Sequence, residues 1–364
     1  MTVMERYVLQ KGQVISFAGS VNTGMLGDEL NEYISTLKEG GVTYCPFIYE
    51  WAEAEPVKGI FDTYYTVKVQ YVLKALRKAG ISPQVILFVS GGPQWFMKDG
   101  GFLSPSCKED YLNYIRRTAE ALKDLAEDFI TFDEPNEYAF RSWLIGSEPP
   151  FAKSRSAYKK CLENIADCHI AAYELLHRYL GDEISVSFTM NAKVYFPANG
   201  SDKDAAGYAA LRGLSAFRTM SAGISSGPIR IKKNLKGDYA DYISLSYEGG
   251  YYTDGKKEAA EWDGGKSVRL SGSRINEWLG TISACGLGNK SVRLTILKRD
   301  APEYELLLYY YEAFREISES GLDIGRVCCP DALLGDQVSA EYLNMLNQRR
   351  HVDREMAMMF GLDD

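Results

Sequence analysis

Histidine is scarce in this 364-residue chain, which contains only three, so a histidine-rich metal site is not expected. The seven cysteines are odd in number, and apart from the adjacent Cys328 and Cys329 no pair lies at metal-ligand spacing. This pattern indicates reduced thiols of a cytoplasmic protein. No apolar run approaches the roughly 18 residues of a membrane-spanning helix. Residues 1–12 are polar and of mixed charge, unlike a signal peptide. The sequence therefore implies no metal, no organic cofactor and no membrane association.

Positive charge is also in short supply, because 41 Lys and Arg stand against 49 Asp and Glu, for a net charge of −8. No basic cluster stands out as a phosphate-tracking surface, which argues against nucleic acid as the main partner. Apolar residues make up 46% and charged residues 25% of the chain, as is ordinary for a globular protein. No linker or shift in composition divides the chain, so we predict one domain over residues 1–364. Nothing in the sequence indicates the oligomeric state.

Short apolar runs alternate with segments whose apolar residues recur at helical spacing. Strands are predicted at residues 14–17, 42–49, 83–89, 129–132, 184–190, 242–246, 292–297 and 324–329. Helices are predicted at residues 28–38, 64–78, 108–128, 154–180, 205–222, 274–285, 303–320 and 339–360. Alternating strands and helices imply a parallel sheet with helical crossovers, and eight such units close a (β/α)8 TIM barrel. The charged, glycine-rich segment 249–273 is predicted as a loop, either a lid over the site or mobile surface.

The fourth predicted strand ends in a group of acids, with the sequence Ile-Thr-Phe-Asp-Glu-Pro-Asn-Glu at residues 130–137. Pro135 stops the strand because a proline cannot donate to the hydrogen-bond ladder. The active sites of (β/α)8 barrels are built at the C-terminal ends of the strands, from the loops that follow them. Glu134 is therefore expected at the barrel mouth, held by a stiff backbone.

Several sequence blocks, spread over most of the chain, carry a resemblance to a known family. They are Gly-Ile-Ser-Pro at residues 80–83, Pro-Gln-Trp at 93–95, Gly-Gly at 100–101, the acidic block at 130–136 and Leu-Ser-Tyr at 245–247. Their order and their positions on the predicted elements resemble glycoside hydrolase family 1, the β-glucosidase family of retaining barrel glycosidases. The resemblance implies a (β/α)8 fold and glycosidase chemistry, with Glu134 as the general acid/base.

Other functional positions of that family hold different residues in this chain. The nucleophile glutamate at the end of the seventh strand corresponds to Ile296, and the asparagine that holds a sugar hydroxyl corresponds to Asp133. The His-Trp pair after the third strand corresponds to Val89 and Ser90, and the tryptophan after the eighth strand corresponds to Pro330. A second carboxylate must therefore come from another strand end.

Glycoside hydrolysis needs two carboxyl groups, one to protonate the leaving oxygen and one to attack the anomeric carbon or activate a water. Glu248 directly follows the sixth strand and is the first candidate to join Glu134, because it stands near a family tyrosine that contacts the nucleophile. Asp331, after the eighth strand, is the second candidate, and Glu50, after the second strand, is the third. Asp133 is too close in sequence to flank the bond from the opposite side, but its charge is expected to raise the pKa of Glu134.

Residues suited to sugar binding follow several of the predicted strands. Tryptophan faces often line sugar clefts and equally often fill cores, and both interpretations stay open for Trp51, Trp95 and Trp143. Asn191 suits either a sugar hydroxyl or a structural turn. Lys298 and Arg299 suit either an anionic sugar or phosphate, or a solvated loop. The predicted substrate-binding set is Glu50, Trp51, Trp95, Asp133, Asn191, Tyr247 and Lys298.

Three functions are compatible with these observations. The first is a glycoside hydrolase acting on a small carbohydrate or glycoconjugate through Glu134 and a relocated second carboxylate. The second is an inactive barrel that binds a carbohydrate or a protein partner, and the third is a non-hydrolytic sugar-active enzyme that uses Glu134. Two acids about 5–10 Å apart across a cleft would favour hydrolysis, whereas a filled mouth would favour binding. The hydrolase is the working prediction.

Overall fold

The computed structural model describes residues 15–16, 24, 27–39, 42–198, 201–256, 268–269, 275–296, 316 and 320–328. The described strands are β1 (Ile15–Ser16), β2 (Tyr44–Ile48), β3 (Ser82–Ile86), β4 (Asp128–Asp133), β5 (Ser185–Asn191), β6 (Val194–Pro197), β7 (Ile243–Tyr247), β8 (Gly250–Thr253), β9 (Val268–Arg269), β10 (Val292–Ile296) and β11 (Ile324–Cys328). The described helices are α1 (Asp28–Glu39), α2 (Trp51–Ala54), α3 (Thr63–Lys78), α4 (Gln94–Lys98), α5 (Cys107–Leu122), α6 (Pro135–Ala139), α7 (Arg155–Leu180), α8 (Asp202–Ala209), α9 (Ser215–Ala222) and α10 (Asn276–Ala284).

Eight of these strands form one parallel sheet whose order follows the chain. The order is β2-β3-β4-β5-β7-β10-β11, and β1 then pairs with β11 on the far side. Described helices lie between the successive strands from β1 to β10, and the connection from β10 to β11 lies largely outside the described residues. Because neighbouring strands pair in parallel, the carboxyl ends of all eight strands lie at the same edge. This is the strand order of a (β/α)8 barrel, and each of the eight predicted strands has a counterpart in the sheet.

A second, three-stranded sheet is absent from the sequence prediction. Strand β6 pairs with β8 in parallel, and β8 pairs with β9 in antiparallel fashion. The strands β8 and β9 lie within the segment predicted as the loop 249–273, so that prediction is wrong for residues 250–253 and 268–269. Because β6 follows β5 and β8 follows β7, this small sheet extends from the carboxyl ends of the barrel strands.

Two predicted helices differ from the observed ones in ways that have a local cause. Helix α5 ends at Leu122 rather than near 128, because Asp124 adopts a left-handed backbone conformation with φ of 65°. Ala126 is buried beyond the helix end, which prolonged the apolar pattern in the sequence. The predicted helix 205–222 is interrupted by a π-helical turn at Ala210–Leu214, and a second π-helical turn, Phe140–Leu144, follows α6.

A polar cluster occupies the amino-terminal ends of the strands. Tyr242 donates a 2.5 Å hydrogen bond to Asp128, and Arg293 pairs with the same carboxylate while lying 3.4 Å over the Tyr242 ring. Gln84 donates to the Tyr242 hydroxyl at 2.8 Å and accepts from Tyr44. Polar contacts at this end of a barrel contribute to stability, since the chemistry is placed at the opposite end.

Helix boundaries follow capping chemistry. Helix α3 begins after Asp62, whose carboxylate accepts from the Tyr65 amide at 2.9 Å, and α7 begins after Ser154, which accepts from the Ala157 amide at 3.2 Å. Gly181 ends α7 with φ of 90°. Helix α7 is the longest described helix, yet neither it nor any other helix of the described ranges is long and apolar enough to cross a membrane. The predicted helices 303–320 and 339–360 lie outside the described residues, apart from Glu316 and Ser320.

Candidate active site

Glu134 stands directly after β4, where the chain turns from strand into α6. Its backbone is in the left-handed region, with φ and ψ both 50°, and its amide donates to the Thr189 carbonyl of β5 at 2.9 Å. Pro135 follows at the first position of α6, where its fixed φ favours helix entry. A non-glycine residue in this conformation costs of order 1–3 kcal/mol and is found most often at functional sites. The strained backbone at Glu134 therefore lowers the stability of the fold and sets the direction of this side chain.

The two adjacent carboxyl groups of the motif are only partly exposed to solvent and are otherwise enclosed by protein. Burial, joined by the charge of Asp133, raises the pKa of Glu134 to about 7. Burial also raises the pKa of Asp133 to about 6, against the opposing effect of a hydrogen bond with Thr189. The predicted influence of Asp133 on Glu134 is thus present, as the second contribution after burial. Near neutral pH, a carboxyl group with this pKa can both give and take a proton.

Ser246 of β7 donates a hydrogen bond to Oε1 of Glu134. This contact lowers the pKa of Glu134 and so acts against burial. It also joins two strand ends that are separated by β5 in the sheet. The Glu134 carboxyl group is therefore held in one orientation by Ser246, which lies two strands away in the sheet.

A buried ionic network lies beside Glu134 and is centred on Glu137 of α6. Lys193 Nζ lies 2.7 Å from Glu137 Oε2, and Arg212 Nη2 lies 2.9 Å from Glu137 Oε1. All three side chains are at least nine-tenths buried. Burial alone would raise the pKa of Glu137, but the charges of Lys193 and Arg212 lower this pKa to about 2. The Arg212 guanidinium also lies 3.5 Å over the ring of Phe140, which begins the π-helical turn after α6.

Glu248, the predicted second carboxylate, joins the same network from the end of β7. The Tyr251 hydroxyl donates to Glu248 Oε1 at 2.6 Å, and Lys193 Nζ lies 3.7 Å from the same oxygen. The charge of Glu248 contributes to the raised pKa of Glu134, after burial and the charges of Asp133 and Glu137. Glu248 therefore lies close enough for its charge to act on the Glu134 carboxyl group.

The three tryptophans considered for sugar binding differ in exposure, because Trp51 and Trp143 are buried and Trp95 is partly exposed. Trp51 is 3% exposed, stacks on Tyr114 at 4.9 Å and donates its indole N–H to Glu55 at 2.8 Å. This placement makes Trp51 part of the core and corrects its prediction as a sugar platform. Trp143, 6% exposed, is likewise a core residue. Trp95 is partly exposed, with its N–H fixed by the Glu55 carbonyl at 2.9 Å, so a surface of its ring stays accessible.

The other predicted binding residues are distributed as follows. Asn191 is 1% exposed and exchanges backbone hydrogen bonds with the Asn136 side chain at 3.0 and 3.2 Å, so it fixes the turn after β4. Tyr247 is fully buried, which does not suit direct sugar contact. Glu50 is exposed and precedes α2, where its amide donates to Tyr65 at 2.7 Å. Although the residue as a whole is exposed, partial desolvation of its carboxyl group, and then the charge of Glu53, raise the pKa of Glu50.

Part of the prediction falls beyond the described residues. Asp331, Lys298 and Arg299 lie there, as does Pro330. Ile296, at the family's nucleophile position, is the last residue of β10 and pairs in register with Tyr247 of β7. No cluster of three or more potential metal ligands occurs among the residues that the structure describes.

Sequence reasoning missed Lys193, Arg212 and Tyr251 as members of the site. Lys193 lies two residues after Asn191, and Tyr251 lies three residues after Glu248, so proximity to a strand end was an available signal for both. Arg212 had no such signal, since it lies within a helical stretch 75 residues from its partner Glu137.

The sequence profile of Glycosyl hydrolase family 1 matches residues 59–219 of this chain. The predicted resemblance to family 1 is confirmed. The matched range contains the β4 motif with Glu134, and also Lys193 and Arg212. It ends before β7, so Glu248 lies outside it.

Solved structures share the fold at low sequence identity. The β-glycosidase from Pyrococcus horikoshii is 20% identical with a TM-score of 0.71, covering 89% of this chain and 85% of its own. The β-glucosidase from Thermotoga maritima in complex with deoxynojirimycin is 15% identical with a TM-score of 0.72, covering 89% of each chain. The predicted (β/α)8 fold is thereby confirmed.

Curated relatives match shorter segments. The galactolipid galactosyltransferase of Arabidopsis thaliana is 24% identical over 160 residues, which are 40% of this chain and 26% of that protein. The β-glucosidase 25 of Oryza sativa subsp. japonica is 24% identical over 229 residues, which are 56% of this chain and 44% of that protein. The matched segments thus span less than half the length of these relatives.

Proposed function

We propose that this chain is a glycoside hydrolase in which Glu134 is the general acid/base and Glu248 is the second carboxylate. The observation that carries the proposal is the partly exposed Glu134 carboxyl at the end of β4, whose pKa of about 7 suits proton transfer near neutral pH. The choice of Glu248 is supported by its position at the end of β7 and by the contribution of its charge to the raised pKa of Glu134. The substrate is a small carbohydrate or glycoconjugate, and the site of action is the cytoplasm.

In this mechanism Glu134 protonates the glycosidic oxygen as the bond to the anomeric carbon breaks. Glu248 either attacks that carbon directly or removes a proton from a water that attacks it. After direct attack, Glu134 takes a proton from the water that hydrolyses the glycosyl–enzyme ester and is thereby reprotonated. When Glu248 instead activates the water, Glu248 takes that proton and releases it to solvent, from which Glu134 is reprotonated. Trp95, with an accessible ring near the mouth, supplies a stacking surface for a sugar.

A second candidate is glycosyl transfer to an acceptor sugar, with the same two carboxyl groups. It is supported by one relative, which is named a galactolipid galactosyltransferase. Transfer differs from hydrolysis only in what accepts the glycosyl group. The two activities are therefore separated by the product and not by the residues.

The test is aglycone release from a panel of aryl glycosides by the wild type, Glu134→Gln and Glu248→Gln. We expect release by the wild type and losses of at least about 100-fold in both variants. Glu120→Gln is the matched control, because Glu120 is an exposed residue of α5 with a surface ion pair. Release that persists in Glu134→Gln would refute the assignment. Release that needs an added acceptor sugar, with a disaccharide as product, would identify transfer.

A further inference from the structure

The site contains a buried cation between two carboxylates, for which the proposed hydrolysis alone gives no role. Lys193 lies on the connection between β5 and β6, and its ammonium group contacts Glu137 on one side and Glu248 on the other. We propose that Lys193 is a positioning residue, which together with Tyr251 holds the Glu248 carboxylate in one place and orientation at the end of β7. This inference rests on the proposed function, in which Glu248 is the second carboxylate.

Glu137 provides the anchor for Lys193. Both of its carboxylate oxygens are engaged, with Lys193 on Oε2 and Arg212 on Oε1, at 2.7 and 2.9 Å. The low pKa of Glu137, which these two cations produce against burial, keeps it negatively charged at any pH at which an enzyme works. A permanently charged, nearly inaccessible partner therefore determines where the Lys193 ammonium group lies.

The backbone of Lys193 is also fixed. The indole N–H of Trp278, from α10, donates to the Lys193 carbonyl at 2.9 Å. Trp278 reaches this position because residue 213 is glycine, since a Cβ there would stand 2.9 Å from the Trp278 ring and 3.2 Å from Asn136. The π-helical turn Ala210–Leu214 thus contributes Arg212 to the network and space for Trp278. Such turns are frequent at functional sites.

On its other side, Lys193 acts on Glu248 together with Tyr251. Tyr251 of β8 donates to Glu248 Oε1 at 2.6 Å, and the Lys193 ammonium group lies 3.7 Å from that oxygen and 4.3 Å from the centre of the Tyr251 ring. A hydrogen bond and an ion pair to one oxygen together restrict how the carboxylate can turn. The pairing of β6 with β8 thus brings Lys193, the residue before β6, and Tyr251 to the same oxygen.

The contacts of Glu248 explain why such a residue is needed. Lys193 faces Glu248 from the β5–β6 connection and Tyr251 faces it from β8, while Glu137 and Arg212 stand behind Lys193. A catalytic carboxylate must be held in its productive geometry by supporting contacts. Lys193 and Tyr251 supply those contacts for Glu248.

The experiment compares kcat and KM for aryl-glycoside hydrolysis in the wild type, Lys193→Met and Tyr251→Phe. We expect Lys193→Met to lower kcat at least about tenfold with little change in KM, as for a group that acts mainly in the transition state. Lys160→Met, which alters an exposed lysine of α7, is the control.

Tyr251→Phe tests the same point without removing a buried charge, and it decides the result if Lys193→Met does not fold. It is expected to lower kcat by a smaller factor than Lys193→Met, again with little change in KM. Tyr252→Phe is its control, because Tyr252 is the next residue of β8, partly exposed, and its ring lies 6.2 Å from that of Phe196.

Values of kcat that stay unchanged in both variants, while the wild type hydrolyses and Glu134→Gln does not, would overturn the role of Lys193 and leave the proposed function intact. A wild type that hydrolyses no glycoside of the panel would instead overturn the proposed function, and the inference with it.

Discussion

Ser246, on β7, donates a hydrogen bond to Oε1 of Glu134, which follows β4. This bond favours the ionised carboxylate, whereas burial and the charges of Asp133, Glu137 and Glu248 favour the protonated form. The net result is a pKa of about 7 for Glu134. A carboxyl group that is a general acid must be protonated when the substrate binds. We therefore expect kcat/KM to fall as the pH rises through about 7.

Removal of the Ser246 hydroxyl is expected to extend activity to higher pH. In Ser246→Ala, the ionised form of Glu134 loses its hydrogen bond, so the pKa of Glu134 rises and the alkaline limb of kcat/KM moves upward. The pH profile of aryl-glycoside hydrolysis measures this shift. An alkaline limb at lower pH than in the wild type would contradict the assignment of that limb to Glu134.

Asp133→Asn is expected to move the same limb in the opposite direction. The charge of Asp133 is the largest contribution to the raised pKa of Glu134 after burial. An asparagine has nearly the same shape without the charge, so the pKa of Glu134 falls and activity declines at a lower pH than in the wild type. Shifts of equal sign in Ser246→Ala and Asp133→Asn would contradict this electrostatic account, since the two side chains act oppositely on one group.

Glu134→Gln is expected to stabilise the protein in mildly alkaline solution. The folded-state pKa of Glu134, about 7, lies above its ordinary value of 4.5. In that window the folded state holds a proton that the unfolded state has released, so folding stability declines as the pH rises from about 4.5 to 7. The neutral glutamine escapes this cost, which is up to about 3 kcal/mol. Urea unfolding at pH 8 measures the gain, and an equal gain at pH 4 would point to another cause.

Glu137→Gln is expected to destabilise the fold strongly. It leaves Lys193 and Arg212 buried without their shared carboxylate, and breaking a buried ion pair in this way costs about 3–5 kcal/mol. The pKa of Glu137 is depressed, so its stabilising effect is complete above about pH 4.5 and is lost as the pH falls toward 2.

Chemical unfolding at pH 7 compares this variant with Glu120→Gln, whose exposed ion pair contributes at most about 1 kcal/mol. Equal small losses in the two variants would show that the Glu137 network is not structurally important.

The sequence predicted those parts of the site that depend on local order. Glu134 was identified because a strand followed by acids and a proline is a local pattern, and Glu248 because it directly follows another strand. The barrel followed from the regular alternation of apolar runs. Each of these features is determined by neighbours in the chain.

The remaining parts depend on contacts between residues far apart in sequence. Lys193 and Arg212 lie 56 and 75 residues from Glu137, and nothing in their own neighbourhood marks them as its partners. Trp51 has the position of a sugar platform, yet it packs on Tyr114 of α5, which only the folded chain brings to it. The strands β6 and β8 were missed because each is four residues long and forms a sheet only with the other.

The most direct test of the central claim is how the effect of Glu134→Gln depends on the leaving group. A general acid protonates the departing oxygen, so its loss harms poor leaving groups and spares those that depart without a proton. For phenyl glycosides we predict a loss in kcat/KM of at least about 100-fold, and for 2,4-dinitrophenyl glycosides a loss below about tenfold. Equal losses for both leaving groups would show that Glu134 does not donate that proton, and would contradict the account.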